Sequence, residues 1–269
     1  MRLVGMIGYG AIGAEIARRW KSELGASHRL VSLLVRAHQV QEATRWAPTN
    51  SLVTSDCASF VKTAPGIVIE AAGHDVVAKC ATKILERGCR LYLLSVGALA
   101  DEDVRARLQA AATRGGGRIM VPAGALAGFD GLLSLRTAGL TSVRYTSTKP
   151  VKAWRGTAAE RVCNLDGLRE PRVIFLGSAH QAAKLFPRNA NLAAAVALAG
   201  IGFDATQVRL IADPAAAQNS SRIEADSPAG QLDVTLTSPA FAANPKSSWI
   251  AALSAIAALR QQTESIAFK

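Results

Sequence analysis

The chain has 269 residues, of which 49% are hydrophobic and 19% charged, a composition typical of globular and not of disordered proteins. The net charge of +11 is scattered along the chain and aromatic residues make up only 5%, a pattern that disfavours a nucleic-acid partner. The sequence shows no signal-peptide pattern, and no apolar stretch reaches the roughly 18 residues of a membrane span. We therefore expect a globular protein whose positive charge serves small anionic ligands, with neither nucleic acid nor a membrane as partner.

A glycine-rich turn follows the first apolar run of the chain. The segment GYGAIG (8–13) has the spacing G-x-G-x-x-G, with an apolar strand pattern before it and a helical pattern after it. Glycines at this spacing permit a tight turn, close approach of a pyrophosphate and tight packing of helix on strand. The segment predicts a dinucleotide site, whose expected contacts are Gly8, Gly10, Ala11, Ile12 and Gly13.

Apolar strand patterns alternate with helical patterns up to about residue 122. Such alternation predicts a doubly wound parallel sheet, the Rossmann arrangement, because parallel strands need crossover connections. The apolar strand-like segments are 3–7, 30–35, 51–55, 66–73, 90–95 and 118–122, and the later helical segments are 38–46, 57–63, 76–85 and 101–114.

The pattern changes in the second half of the chain. Segments 142–148, 208–213 and 231–238 alternate between apolar and polar residues like half-exposed strands, whereas 191–202 resembles a buried helix. The predicted fold class is α/β: an N-terminal Rossmann domain (1–123) followed by an α+β domain (124–244) on an open-faced mixed sheet. We expect a C-terminal helix within 245–269 to return to the first domain.

The four cysteines form no C-x-x-C pair. The sequence therefore predicts no metal site, and the thiols fit a reduced state in the cytoplasm.

The residue at the end of the second strand indicates which coenzyme the site selects. Sites selective for NAD place an acidic residue there, but this chain has Arg36, which suits the 2′-phosphate of NADP. A solvated strand-end charge is the alternative interpretation of Arg36, so NADP and NAD both stay open.

Several motifs together resemble the L-aspartate dehydrogenase family over essentially the whole chain. The resemblance implies NAD- or NADP-dependent interconversion of L-aspartate with iminosuccinate, and so with oxaloacetate and ammonia, by a homodimer. It also implies a place in amino-acid metabolism and NAD biosynthesis. The motifs are MIGYGAIG (6–13), EAAGH (70–74), LLSVGALAD (93–101), PAGALAGFD (122–130), SVRYTSTKP (142–150), VIFLGSA (173–179), FPRNANLAAAVALAG (186–200), VRLIADP (208–214) and ANPKSS (243–248).

The resemblance carries three further residue roles onto this chain. Ala125 and Asn191 match cofactor-contacting residues of the family, although loop packing and helix capping are their ordinary alternatives. Ser221 stands where the family motif has its catalytic histidine. A serine hydroxyl has no pKa near neutrality and cannot act as the histidine does. The resemblance therefore supports the expected fold and cofactor more strongly than the expected activity.

Three other residues are candidates for binding or proton transfer. Lys149 and Lys246, both predicted in loops beside proline, have the charge to hold the carboxylates of a dicarboxylate, but loop lysines are usually solvated. His74 follows the end of the fourth strand, where ligands of open α/β sheets gather, but it also suits a helix-capping loop.

Two alternatives to aspartate chemistry stay open because of Ser221. The first is an NADP-dependent reductase of another imine or 2-oxo acid. The second is a catalytically impaired homologue that binds the cofactor.

Overall fold

The computed structural model describes residues 1–187, 189–241 and 244–268, which fall into two compact units. The first unit contains Met1–Gly124 together with the residues from Ala251 onward, and the second contains Ala125–Ile250.

The first unit is built on a six-stranded sheet in which every neighbouring pair is parallel. The strand order is β3-β2-β1-β4-β5-β6, so the winding direction reverses between β1 and β4. Crevices at such reversal points, outside the carboxyl ends of the strands, are where ligands of open α/β sheets bind. The strands are β1 (Arg2–Ile7), β2 (His28–Leu34), β3 (Leu52–Thr54), β4 (Ile67–Glu70), β5 (Arg90–Leu93) and β6 (Arg118–Met120).

Helices connect these strands, and local capping explains several of their ends. The Asp56 and Asp101 side chains accept hydrogen bonds from the first turns of α3 and α5, and α5 ends at Gly116, whose φ of +68° suits glycine. The helices are α1 (Ala11–Glu23), α2 (Val40–Trp46), α3 (Cys57–Lys62), α4 (His74–Leu85) and α5 (Glu102–Gly115).

The second unit is built on a five-stranded mixed sheet of order β11-β10-β7-β9-β8. In it β7 and β9 are parallel and the other neighbours are antiparallel. The strands are β7 (Ser142–Pro150), β8 (Arg172–Ser178), β9 (Gln207–Asp213), β10 (Asn219–Ser227) and β11 (Gly230–Ser238), with a small ribbon of β12 (Ala240–Phe241) and β13 (Asn244–Ser248).

Helices contact this mixed sheet, and one of its faces carries surface charge. Arg222 lies on that charged face and bridges to Glu224 at 3.3 Å and to Asp233 at 2.5 Å. On the opposite face the alternate residues of β7 and β10 are buried. The helices are α6 (Phe129–Thr137), α7 (Ala179–Leu185) and α8 (Asn191–Ala199), followed by α9 (Trp249–Arg260), which enters the first unit at Ala251.

The structure confirms the predicted fold class, a Rossmann sheet followed by a mixed-sheet unit. Helix α6 and strands β8 and β10 were not predicted as elements. The expectation of four reduced thiols is wrong for one pair, because a disulfide joins Cys57 and Cys80, whose Cα atoms are 6.1 Å apart. Among the helices of the described residues, none combines the length and apolarity that a bilayer crossing requires.

Candidate functional site

The glycine turn has the geometry that a dinucleotide pyrophosphate requires. Gly8 has a φ of +100°, and a Cβ there would lie 2.7 Å from the carbonyl oxygen of Ala71. A Cβ on Gly13 would collide with the carbonyl oxygen of Gly8, so only glycine lets α1 start this close to β1. At Gly10, by contrast, a Cβ would meet no atom of the described residues within 4 Å, which leaves the backbone open to a ligand.

The first turn of α1 supplies hydrogen-bond donors at the same place. Gly10 is the N-cap and contributes no side-chain cap, and the first intrahelical bond runs from the Ala14 amide to the Gly10 carbonyl oxygen. The amides of Ala11, Ile12 and Gly13 therefore lie in the turn that has no intrahelical acceptors. A helix start of this kind favours phosphate through its N–H groups and its dipole. These residues fit NAD or NADP.

Arg36 follows β2 and is exposed at the edge of the sheet that carries the glycine turn. Gln39 links the two loops, because its Nε2 donates to the carbonyl oxygen of Tyr9 at 3.2 Å and its Oε1 accepts from the Arg36 amide at 3.4 Å. Gln39 thus connects the Arg36 backbone to the glycine turn, and the role of Arg36 in coenzyme choice stays a prediction.

Glu70, at the end of β4, is a site-shaping residue that the sequence analysis did not single out. It is only 1% exposed, and its carboxylate accepts from the amides of Ala72 (2.7 Å), Gly73 (2.8 Å) and Ser95 (2.9 Å) and from the Ser95 hydroxyl (2.8 Å). Burial raises the pKa of Glu70, and these four donors act in the opposite direction. Through these hydrogen bonds Glu70 links the loop that follows β4 to the loop that follows β5.

His74 begins α4 directly after this braced loop. It is half-buried, and Gly73 before it adopts a φ of +141°, a conformation that suits glycine. The carboxyl ends of β1, β2 and β4 therefore gather the glycine turn, Arg36 and His74 at one edge of the first unit.

In the second unit, Lys149 and Ser221 lie on the same buried face of the mixed sheet. Lys149 is not in a loop as predicted: it is the penultimate residue of β7 and only 6% exposed. Its Nζ lies 5.6 Å from the centre of the buried Trp154 ring, a cation–π contact that helps to hold the ammonium away from bulk water.

Ser221 lies on β10 and is paired in register with Ser147 of β7. It is 5% exposed, and its Oγ lies 3.3 Å from the hydroxyl of Tyr145. Burial raises the pKa of Tyr145, with the Ser221 and Ser147 hydroxyls acting against that rise. Two hydroxyls that both keep their protons at neutral pH can orient a ligand or a water, but they do not replace imidazole as a base.

Two buried asparagines were missed as candidate site residues. Asn189 and Asn219 are each 6% exposed, and neither amide oxygen nor amide nitrogen of either residue has a hydrogen-bond partner among the described residues. An unsatisfied buried polar group costs about 1–3 kcal/mol, so a side chain kept in this state is a candidate for ligand contact. Asn219 precedes Ser221 by two residues, and this proximity to a position that the family resemblance singled out was the available signal.

The remaining predicted residues lie at separate places. Ala125 is buried in the segment after β6, and Asn191 is the first residue of α8, which packs against β7. Lys246, predicted in a loop, belongs through its backbone to β13, and its side chain lies outside the described part of the structure. No cluster of three or more His, Cys, Asp or Glu side chains suited to a metal occurs among the described residues.

The parallel sheet, its reversal point and the glycine turn define a dinucleotide-binding protein. Comparison with known proteins gives the same class: residues 8–122 match the family model described as homoserine dehydrogenase, NAD binding domain, and residues 130–262 match aspartate dehydrogenase, C-terminal. The chain is 39% identical to an L-aspartate dehydrogenase of Serratia proteamaculans and 40% identical to one of Pseudomonas aeruginosa, covering 97% of both chains in each comparison. It belongs to the L-aspartate dehydrogenase family.

Solved structures show the same fold. Aspartate dehydrogenase from Thermotoga maritima matches with a TM-score of 0.75 at 24% identity, with 100% of both chains covered. A hyperthermophilic archaeal homoserine dehydrogenase in complex with NADPH matches with a TM-score of 0.60 at 12% identity, with 97% of both chains covered. The chain is thus an NAD- or NADP-dependent oxidoreductase of amino acids.

Proposed function

We propose that this chain interconverts L-aspartate with iminosuccinate, and through it with oxaloacetate and ammonia, using NADP or NAD. The observation that carries the proposal is the buried ammonium of Lys149, on the same sheet face as Ser221, in a chain of the L-aspartate dehydrogenase family. A substrate carboxylate is a suitable ligand for an ammonium at this position, because charge-assisted hydrogen bonds are strong where little water competes.

The cofactor, when bound, supplies the hydride acceptor or donor. The residues of the chain would bind and orient the cofactor and the substrate. The glycine turn and α1 would bind the diphosphate of the cofactor, and Ala125 and Asn191 would be further cofactor contacts. Lys149, and Lys246 as a second candidate, would bind the carboxylates. Ser221, hydrogen-bonded to Tyr145, would position the water or ammonia that interconverts imine and ketone, and His74 is a second candidate for proton transfer.

The direct test follows coenzyme absorbance with the purified chain. L-aspartate with NADP or NAD should give reduced coenzyme, and oxaloacetate with ammonia should consume it. Absence of turnover in both directions with both coenzymes would overturn the proposal.

Ser221 favours a second candidate function, the reduction of a preformed imine or 2-oxo acid. Hydride transfer to an imine does not itself need the base that imine hydrolysis uses. A panel of imines and 2-oxo acids, followed by loss of NADPH, separates the two functions. An imine reduced well by a chain that leaves aspartate unchanged would establish the second. Tight coenzyme binding without any turnover would instead indicate the catalytically impaired homologue.

Coenzyme choice and assembly belong to the same proposal. The exposed side chain of Arg36, whose backbone is linked to the glycine turn through Gln39, would bind the 2′-phosphate of NADP. Calorimetry should therefore show tighter binding of NADPH than of NADH, and equal binding would remove the role assigned to Arg36. We further propose a cytoplasmic homodimer in which the dinucleotide-binding domain covers 1–123 with the C-terminal helix and the substrate domain covers 124–244.

A further inference from the structure

Asn219 is a buried amide at the start of β10 that the proposed function does not yet use. It is 6% exposed, and both its Oδ1 and its Nδ2 are without hydrogen-bond partners among the described residues. Buried side-chain amides in folded proteins normally satisfy both ends. The side chain is thus available for a ligand that offers a donor and an acceptor together.

The sheet register places Asn219 beside the residues already assigned to the substrate. Ser220 pairs with Thr148 and Ser221 with Ser147. Continuing this antiparallel register by one residue places Asn219, which precedes Ser220, opposite Lys149. Residues two apart on a strand face the same side. Asn219 and Ser221 therefore share the buried face that carries Lys149, and β10 continues that face with the buried Ile223.

The chemistry of this group of side chains differs between its members. Lys149 only donates and carries a positive charge, which suits a carboxylate. The amide of Asn219 also donates through Nδ2, but its Oδ1 needs an N–H or O–H donor. A dicarboxylate without a nitrogen accepts hydrogen bonds from Lys149 and from Nδ2 of Asn219, but it offers no donor to Oδ1 of Asn219. A dicarboxylate with an amino or imino group on its α-carbon satisfies both ends.

We propose that Asn219 is a specificity-determining residue that contacts the α-amino or α-imino nitrogen of the substrate and an adjacent carboxylate. The site then selects nitrogen-bearing dicarboxylates over dicarboxylates that lack the nitrogen, because the latter leave the buried Oδ1 without a donor. This inference rests on the proposed function, since it takes the substrate of that site as its ligand.

Asn219→Leu tests the proposal, because leucine is close in size and removes both polar atoms. The matched control is Ser220→Ala on the neighbouring, outward-facing position of the same strand. Calorimetry in the presence of the coenzyme compares L-aspartate with succinate, which has the same carboxylates and no nitrogen. We expect the ratio of the two affinities to fall at least about tenfold in Asn219→Leu and to stay unchanged in the control.

Stability supplies a second, independent readout. Removing an amide that has no hydrogen-bond partner within the described ranges should leave the melting temperature at or above that of the wild type. Asn219→Ala repeats the measurement with a smaller side chain. A marked fall in melting temperature in both variants would show that the amide has a structural partner, and would overturn the inference.

The remaining outcomes separate this inference from the proposed function. If the wild type oxidises L-aspartate and Asn219→Leu keeps the full preference for L-aspartate over succinate, the role of Asn219 is refuted and the function stands. If the wild type turns over L-aspartate with neither coenzyme, the function fails and the inference fails with it.

Discussion

At the residue scale, the site depends on a few polar side chains held where water is scarce. Lys149, Ser221 and Asn219 are each at least nine-tenths buried on one face of the second unit. Low exposure strengthens their interactions with a charged ligand, because little solvent competes or screens. We therefore expect substrate affinity to respond to small substitutions at each of these positions.

The charge of Lys149 is testable with Lys149→Met, which keeps the length of the side chain and much of its packing beside Trp154. We expect KM for L-aspartate to rise about tenfold or more, because a buried charge-assisted contact is lost, while the Kd of NADPH stays near the wild-type value. Steady-state kinetics with coenzyme titration measures both quantities. An unchanged KM would remove Lys149 from the substrate site.

Ser221→His introduces the side chain that the family motif has at this position. Imidazole titrates near neutrality, so we expect kcat for aspartate oxidation to rise roughly 10²-fold and to acquire a dependence on a group of pKa about 6.5. Ser221→Ala is the matched control, because it removes the contact with Tyr145 without adding a base. A histidine variant that folds, binds NADPH and shows the pH profile of the wild type would contradict the role of this position.

At the element scale, the turn between β1 and α1 shows how backbone geometry makes a binding site. Two of its glycines meet different structural requirements. Gly13 allows α1 to pack closely against the Gly8 carbonyl, and Gly10 leaves the backbone accessible to a ligand. The contrast predicts that the same substitution has different effects at positions three residues apart.

Gly10→Ala should leave folding nearly unchanged, since its Cβ meets no atom within 4 Å in the part of the chain that the structure describes. It should weaken NADPH binding about tenfold or more by filling space near the diphosphate. Gly13→Ala should in addition destabilise the protein by about 1–3 kcal/mol, because its Cβ collides with the Gly8 carbonyl oxygen. Thermal unfolding and coenzyme titration of both variants distinguish the two effects. Equal melting temperatures in the two variants would refute this interpretation.

Loops at the ends of strands also depend on buried bracing. Glu70 holds the backbone after β4 and after β5 through four hydrogen bonds, so the loop before His74 is fixed by a side chain that itself sits in the core. The position of His74 therefore depends on two neighbouring strands rather than on its own segment.

At the scale of the whole molecule, the first unit is assembled from both ends of the chain. Residues from Ala251 onward belong to it, and Arg260 bridges to Glu23 at 3.1 Å while Gln262 donates to the hydroxyl of Tyr92. We therefore expect the contacts of α9 and the residues after it to contribute to the stability of the unit that carries the glycine turn.

Leu259→Ala tests this dependence. Leu259 is fully buried, and truncating such a leucine typically costs about 2–5 kcal/mol, so the melting temperature should fall clearly. The exposed neighbour Ala257 gives the control Ala257→Ser, which should have little effect. Calorimetric scans with and without NADPH measure both variants, and equal melting temperatures would contradict the proposed contribution of α9.

The comparison between sequence and structure separates local from non-local causes. The strands and helices of the first unit follow from apolar periodicity, and the glycine turn follows from its spacing, because both signals lie within one short segment. Strand β10 gave no such signal, since the first two positions on its buried face are Asn219 and Ser221 rather than apolar residues. The polar side chains that make this strand a candidate site also concealed it as a strand.

The sequence by itself determined the class of the protein: a dinucleotide turn at the start of a parallel sheet and the motifs of the L-aspartate dehydrogenase family. Those features are written in contiguous residues whose backbone conformation is locally fixed. Only the tertiary structure decided that Lys149 is a buried strand residue, that Asn219 shares its face and that Glu70 braces the loop before His74. Burial and cross-strand register depend on residues far apart in the chain, and no single segment encodes them.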